Sequence, residues 1–354
     1  MEKTKIAVIF GGKSTEHEVS NISGTAVIKN LNKEKYEIYP IYINKKGEWF
    51  SYNEEVRNID VFKMGEEPTK IQRIESINNY LSKMDVIFPV LHGLYGEDGT
   101  IQGMLEMLKI PYVGCKVLAS SVCMDKVYSK IVFEKAKIKQ AQYVLIKVEN
   151  DNYIYVDDEL NEKKMEISKI IEKIEAKIEY PMFVKPSNSG SSVGVMKAEN
   201  KEELVKAIEN AKEFDKEVLV EQGINGKEVE CAVLENGRDV KASCIGQILS
   251  AEEFYSYSSK YTNVQSKTLI PADISKEKQE EVRKLAIKAF KAVGARGISR
   301  VDFFVEKNTD EVYINEINTM PGFTQISMYP QLWEACGLSY TELLDKLIEN
   351  ALEK

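Results

Sequence analysis

Residues Lys5 to Phe10 read Lys-Ile-Ala-Val-Ile-Phe, and the next two residues are both glycine. A run this short and this apolar, cut off by a turn signal, predicts a strand buried on both faces. A helical spacing follows from about Ser20 to Leu31. Alternating apolar and polar residues then run from Tyr36 to Asn44, with Gly47 as a turn. Strand, glycine turn, helix, strand is the opening of a doubly wound α/β unit. Met84 to Val90 adds another buried strand. Asp98-Gly99 then leads into a helix with Ile101, Met104, Leu105 and Leu108 on one face, which Pro111 stops.

At 354 residues the chain is too long for one core and predicts two or three domains. Lys+Arg number 48 against 56 Asp+Glu, a net charge of −8, which argues against general nucleic-acid binding. Apolar stretches such as Val86 to Leu91 fall far short of the roughly 20 residues of a membrane span. The N-terminus lacks the apolar core of a secretion signal. The five cysteines are odd in number, scattered and without C-x-x-C spacing, so neither a disulfide framework nor a zinc site is expected. These features together predict a reduced, cytoplasmic protein with no nucleic-acid or membrane partner.

Beyond Gly114 the spacing predicts a lysine-rich helix over Ser120 to Ala136. Residues 143–166 mix polar and acidic groups with little periodicity. Ile167, Ile170, Ile171, Ile174 and Ile178 mark one helix face that ends before Pro181. Strands are expected at Met182–Pro186, Glu217–Glu221, Glu228–Glu235 and Lys241–Leu249, and a helix from about Ser275 to Val293, closed by Gly294. Two strands, about Gly297–Val305 and Glu311–Ile317, flank the turn Lys307 to Asp310, and a last helix starts near Thr341.

Several segments carry chemistry. Lys185-Pro-Ser-Asn-Ser-Gly-Ser-Ser-Val-Gly194 sets a lysine before a Ser/Gly loop. Backbone N–H groups in such a loop can cradle a triphosphate; the other reading is a flexible surface hairpin. Gly12-Lys13-Ser14 imitates the end of a P-loop, but the glycine required five positions earlier is Ala7. In Gly297-Ile-Ser-Arg300-Val-Asp302 and Asn315-Glu316-Ile-Asn318, residues two apart share a strand face. Arg300 with Asp302, and Glu316 with Asn318, would then meet across a hairpin. An oxygen-only set of Asp, Glu and Asn suits Mg²⁺ completed by phosphate oxygens, with Arg300 set to neutralise a transferring phosphoryl group. A solvated sheet face with cross-strand ion pairs is the alternative. The Ser- and Tyr-rich stretch Glu252 to Tyr261 reads as a long loop, functional or disordered. Glu16-His17-Glu18 and His92 to Gly99 each read more simply, taken alone, as a helix N-terminus and a turn, but both follow strands, where α/β sheets place their ligands. Only two histidines occur in the chain, so a histidine-based metal site or a Ser–His–Asp triad has little support.

These segments, with Phe10-Gly-Gly-Lys-Ser-Thr-Glu-His-Glu-Val-Ser20, His92-Gly-Leu-Tyr-Gly-Glu-Asp-Gly-Thr100, Met124-Asp-Lys126, Lys260-Tyr261 and Asn315 to Thr324, resemble the D-alanine–D-alanine ligases of the ATP-grasp superfamily. The resemblance runs from residue 6 to about 330 in the family's order and leaves 143–166 unexplained. It implies an α/β (α+β overall) ATP-grasp fold in three domains: a doubly wound domain at 1–115, a central domain at 116–218, and a C-terminal domain at 219–354 with a lid at 250–270. ATP would lie between the last two. The implied reaction joins two D-alanine molecules through a D-alanyl phosphate, for peptidoglycan precursors.

By motif position, Lys126 and Lys185 would hold ATP phosphates, with Ser191 beside them. Glu221 would meet the adenine edge and Glu228 the ribose. Asp302, Glu316 and Asn318 would hold two Mg²⁺, a role Mn²⁺ can also fill. Arg300 and the Gly322 N–H would stabilise the oxyanion. Glu16 would bind the first D-alanine's ammonium and connect through Ser191 to Tyr261 in the lid. Lys260 and Ser327 would hold the second D-alanine's carboxylate, with His92 near that subsite. Relatives accepting D-lactate have histidine in the lid, and some variant ligases have arginine at the position of Met328. Lys260-Tyr261 and Met328 therefore imply D-alanine as acceptor. The family is commonly dimeric through its N-terminal domain, which implies a homodimer.

Three other readings compete. Another ATP-grasp ligase would differ only in its acceptor pocket. A nucleotide-binding regulator would be expected to lack Asp302, Glu316, Asn318 or Arg300, and all four are present. A nicotinamide enzyme would need G-x-G-x-x-G after the first strand, which Gly11-Gly12-Lys13-Ser14 does not match.

Overall fold

A computed structural model describes residues 2–52, 68–150, 152–190, 192–237, 239–249 and 267–353. The described residues form three sheets. The first contains β1 (Thr4–Gly11), β2 (Tyr36–Ile43), β3 (Trp49–Tyr52), β4 (Ile71–Arg73) and β5 (Val86–Pro89) in the order β4-β3-β2-β1-β5. β1 runs parallel to both β2 and β5. α1 (His17–Asn30), the short α2 (Ile77–Leu81) and α3 (Thr100–Leu108) accompany this sheet. Alternate residues of β1 feed opposite faces, as a strand's period of two requires. Ile6, Val8 and Phe10 enter one apolar cluster, while Ala7 and Ile9 enter another with Ile101 and Leu105 of α3. The doubly wound opening is thus present as expected.

The stretch expected to be one helix over Ser120–Ala136 is two: α4 (Val117–Met124) and α5 (Lys126–Lys135). Asp125 breaks them. Its backbone is extended, and its side chain accepts from the N–H groups of Val127 and Tyr128, capping α5.

The second sheet is antiparallel. It contains β6 (Tyr143–Glu149), β7 (Asn152–Val156), β8 (Glu162–Lys164), β9 (Met182–Pro186), β10 (Met196–Ala198) and β11 (Glu217–Gln222). The unpatterned stretch 143–166 is therefore the meander β6-β7-β8. α6 (Ile167–Lys177) and α7 (Lys201–Ala211) cover one face, packing Ile170, Ile174, Leu204 and Ile208 against Val144, Ile146, Val218 and Val220.

The third sheet orders β12 (Gly226–Asn236), β13 (Asp239–Leu249), β14 (Lys267–Leu269), β15 (Ile298–Glu306) and β16 (Val312–Asn318) as β14-β13-β12-β15-β16. α8 (Lys276–Ala292), capped by the Ser275 hydroxyl, lays Val282, Ala286 and Phe290 on Val229, Val301 and Phe303. Ala119 and Phe133 of α4 and α5 join that core. The other face carries Ala232, Leu234 and Ile248, covered by α9 (Met328–Ala335) and α10 (Tyr340–Leu352). The same cluster includes Phe10 and Phe88 of the first sheet, so the last two helices tie the first sheet to the third. α9 carries no strong sequence signal and was not anticipated.

Candidate active site

A cavity of about 1080 Å³ lies between strands of the second and third sheets and the α1 helix and loops that flank the first. The loops after β1 and β5 contribute Glu16 and His92. Lys126, Lys185 and Glu221 come from α5, β9 and β11, and the third sheet contributes Glu228, Glu230, Arg300, Glu316 and Asn318.

The β15–β16 hairpin forms as its alternation predicts. Arg300 lies opposite Asn318 and Asp302 opposite Glu316. The Arg300 guanidinium donates to both oxygens of Asp302, Nε at 2.8 Å and Nη2 at 2.7 Å. Glu230 on β12 lies opposite Asp302 and brings its carboxylate to 3.1 Å from Arg300 Nε. Burial opposes the charge on Arg300, but Asp302 and Glu230 outweigh it and hold the guanidinium firmly protonated. Among the described residues no three His, Cys, Asp or Glu converge as a ready-made metal cage. Asp302, Glu316 and Asn318 instead provide two carboxylates and an amide on one strand pair. Such a partial oxygen shell fits Mg²⁺ when phosphate oxygens complete it. Each Asp302 oxygen accepts one hydrogen bond from Arg300 and keeps a second lone pair for a cation.

Glu221 lies buried between two lysines. Its carboxylate pairs with Lys130 Nζ through one oxygen and with Lys185 Nζ through the other. Burial favours the neutral acid, but Lys130 and Lys185 together outweigh it and pull the carboxyl down to about 2. For Lys130, burial is the larger influence and lowers its pKa despite Glu221. Lys126 Nζ donates to the Ser189 carbonyl at 2.5 Å, which ties α5 to the Ser/Gly loop.

Close approach of backbone explains two glycines. A Cβ on Gly93 or Gly190 would lie 2.5 or 2.7 Å from Glu16 Oε2, so a side chain at either position would displace the Glu16 carboxylate. Gly93 also has φ +72°, a left-handed conformation. Glu97 lies half-buried nearby, accepting from Gly93 N and Met320 N at 2.6 and 3.1 Å. Withdrawal from bulk water, with Glu16 close by, pushes its carboxyl up to about 8.

His92 is buried. Its Nδ1 lies 3.0 Å from the Met320 carbonyl and its Nε2 3.1 Å from Ser23 Oγ. Phe323 N donates to the same Oγ at 3.3 Å. The consistent assignment is a neutral ring, with Nδ1–H donating to Met320 and Nε2 accepting from Ser23. Burial, the largest influence, lowers its pKa. His92 thereby holds the 320–323 turn that presents Gly322. Ser327 stands before α9, its hydroxyl accepting from Thr324 N at 3.0 Å, and Met328 packs on Gly246 of β13.

This geometry agrees with what known proteins show. Residues 5–115 match the family model for the D-ala D-ala ligase N-terminus, and residues 132–349 match that for its C-terminus. The chain is 51% identical to D-alanine–D-alanine ligase B of Clostridium tetani over 99% of its own length and 94% of that protein. It is 50% identical to the D-alanine–D-alanine ligase of Clostridium novyi, over 99% of each.

The chain belongs to the D-alanine–D-alanine ligase family.

Solved structures agree. The VanG D-Ala:D-Ser ligase of Enterococcus faecalis superposes with a TM-score of 0.84 at 39% identity, covering 99% of this chain and 100% of that one. The Bacillus anthracis D-alanine–D-alanine ligase complexed with ATP gives 0.73 at 30% identity, covering 99% and 97%. The fold is ATP-grasp. Of the residues this family's motifs single out, Glu16, His92, Lys126, Lys185, Glu221, Glu228, Arg300, Glu316, Asn318, Gly322, Ser327 and Met328 all line the one cavity. Asp302 joins them through Arg300. Ser191, Lys260 and Tyr261 lie outside the described residues. Sequence reasoning gave no role to Lys130, Glu230, Glu97 or Ser23. Glu230 had a signal: it follows Glu228 by two on one strand, and so shares its face. Lys130 had none, because a lysine within a helix reads as solvated.

Proposed function

We propose that the protein joins two D-alanine molecules at the expense of ATP, with Mg²⁺ bound in the cavity. The observation that carries this reading is the meeting of the Arg300/Asp302/Glu316/Asn318 hairpin, the Lys185–Glu221 pair and Glu16 around one space. A carboxylate is a poor electrophile. Its oxygen attacks the γ-phosphorus of ATP, ADP leaves, and a D-alanyl phosphate forms. The amine of the second D-alanine attacks the acyl carbon, loses a proton, and phosphate departs. Mg²⁺ on Asp302, Glu316 and Asn318 would neutralise phosphate charge.

The chain's own residues do the remaining work. Glu16 receives the first substrate's ammonium. Lys126 and Lys185 face the phosphates, Glu221 the adenine amino edge and Glu228 the ribose. Arg300 and the Gly322 N–H stabilise the tetrahedral oxyanion, while His92 keeps that turn in place. Ser327 and Lys260 take the acceptor carboxylate. By motif position Ser191 and Tyr261 would link to Glu16, and a site closed in that way would exclude water that hydrolyses the acyl phosphate. The three-domain division at about 115 and 218, a homodimer and a cytoplasmic location, where the peptidoglycan precursor is made, belong to the same reading. No helix among the described residues is long and apolar enough to cross a membrane.

Phosphate release with ATP and Mg²⁺ tests the proposal. Release that requires D-alanine, fails with L-alanine and matches dipeptide formed is the expected result. A higher kcat/KM for D-serine than for D-alanine as acceptor would overturn the assignment drawn from Met328 and Lys260-Tyr261.

A further inference from the structure

Arg300 is held by two carboxylates at once. Asp302 takes Nε and Nη2 in a fork that occupies both of its oxygens. Glu230 reaches Nε from the neighbouring strand at 3.1 Å. Both acids are almost fully buried, with 6% of the Glu230 side chain and 3% of the Asp302 side chain exposed. Glu230 and Arg300 form part of the cavity wall, with Glu228 two residues before Glu230 on the same strand face. The opposite face of β12 places Val229 and Cys231 in the core. Glu230 is thus an acid turned towards the site, with no apolar packing role on that side.

The fork on Asp302 and a metal-binding role draw on the same charge. The oxygens that a divalent cation would use are those that Arg300 holds. When Asp302 joins Glu316 and Asn318 on a cation, the lone pairs left free by the fork are used and its charge is shared with the metal, so its hold on the guanidinium weakens. A buried guanidinium stripped of its carboxylate is strongly unfavourable. Glu230, already in contact with Nε, supplies the carboxylate that would remain.

We propose that Glu230 is a positioning residue that retains Arg300 in the cavity when Asp302 turns to a divalent cation. Arg300 then passes from the fork on Asp302 to the phosphoryl oxygens without ever losing an anionic partner. The inference rests on reading Asp302, Glu316 and Asn318 as the cation ligands. It adds a second carboxylate behind Arg300, one that touches neither substrate nor metal.

The test is Glu230→Gln, which keeps the shape and removes the charge. Mn²⁺ binding is followed by electron paramagnetic resonance with a non-hydrolysable ATP analogue, and kcat is measured separately. The expected results are an apparent Kd for Mn²⁺ raised about tenfold and a kcat lowered at least as much. The KM for D-alanine should change little, and Glu230→Asp should recover part of both losses. A direct charge effect on the metal is separated by repeating the substitution in an Arg300→Met background, where Glu230→Gln should no longer move Mn²⁺ affinity. The same shift in both backgrounds would overturn the proposal. So would wild-type Mn²⁺ affinity and kcat in Glu230→Gln, even with a lowered unfolding temperature, since that is packing alone. If Glu230→Gln does not fold, Glu230→Ala is read by the same criteria. Wild-type protein that binds Mn²⁺ with the analogue but releases no phosphate with D-alanine would refute the substrate assignment and leave the Glu230 result standing. Failure of the wild type to bind Mn²⁺ would refute the ligand set and this inference with it.

Discussion

Glu221 shows how a charged triad can be both structure and site. Its carboxylate lies between Lys130 and Lys185, and Lys130 is only 2% exposed. Glu221→Gln leaves Lys130 buried without its counter-charge. Loss of about 3–5 kcal/mol is expected in urea unfolding. A different acid of the cavity, Glu97, makes a prediction about pH. Glu97 sits at about 8 in the folded protein against an ordinary 4.5. A raised folded-state value means its contribution is fully present below about 4.5 and lost as pH rises through about 8. Stability should therefore fall across that window, and Glu97→Gln should flatten the slope; equal slopes for both proteins would contradict the assignment. Glu316→Ala should lower kcat by at least about 100-fold while the unfolding midpoint stays near that of the wild type. At this scale the sequence was legible where spacing alone sets a side chain's direction, as for Arg300, Asp302, Glu316 and Asn318. It was silent on Lys130, whose burial depends on a sheet packed against its helix.

Among the elements, the β15–β16 hairpin was readable because two apolar strands of period two flank an obvious turn. The meander at 143–166 was not, because β7 and β8 are mostly half-exposed or exposed and carry no clean alternation. The break between α4 and α5 was hidden for another reason. Asp125 sits comfortably in a lysine-rich helix pattern, and only its hydrogen bonds to Val127 and Tyr128 reveal a cap. α9 depends on contact rather than pattern. A Cβ on Gly246 would lie 2.5 Å from Met328 Sδ and 3.0 Å from Leu332 Cδ2. Gly246→Ala should push α9 outward, with an overpacking loss of about 1–3 kcal/mol. Because Ser327 leads into that helix, KM for the acceptor D-alanine should rise more than KM for ATP. Equal changes in the two constants would show that α9 does not govern the acceptor.

For the whole molecule, the three sheets were only partly foreseeable. The doubly wound start was plain, but the attachment of the chain's end to its beginning was not. α9 and α10 pack between Phe10 and Phe88 of the first sheet and Ala232 and Leu234 of the third. Leu347, 1% exposed on α10, lies in that shared cluster. Leu347→Ala should cost about 2–5 kcal/mol and lower the melting of the first and third sheets together in calorimetry. Separate melting of those two sheets would contradict a common core.

The placement of α9 has a further consequence. The helix that follows Ser327 is seated on β13 through Gly246, whereas the acids and arginine that would handle the phosphoryl group stand on β12, β15 and β16. The two sets meet at the cavity and share one support, because Tyr329 of α9 also donates to the Val233 carbonyl of β12. A change at the Gly246 contact therefore reaches the acceptor end first, whereas a change at Tyr329 is felt by the strand that carries Glu228 and Glu230. Evolution, or a designer, can exchange the acceptor in such a scaffold most cheaply on the β13 side of that helix, where Met328 meets Gly246.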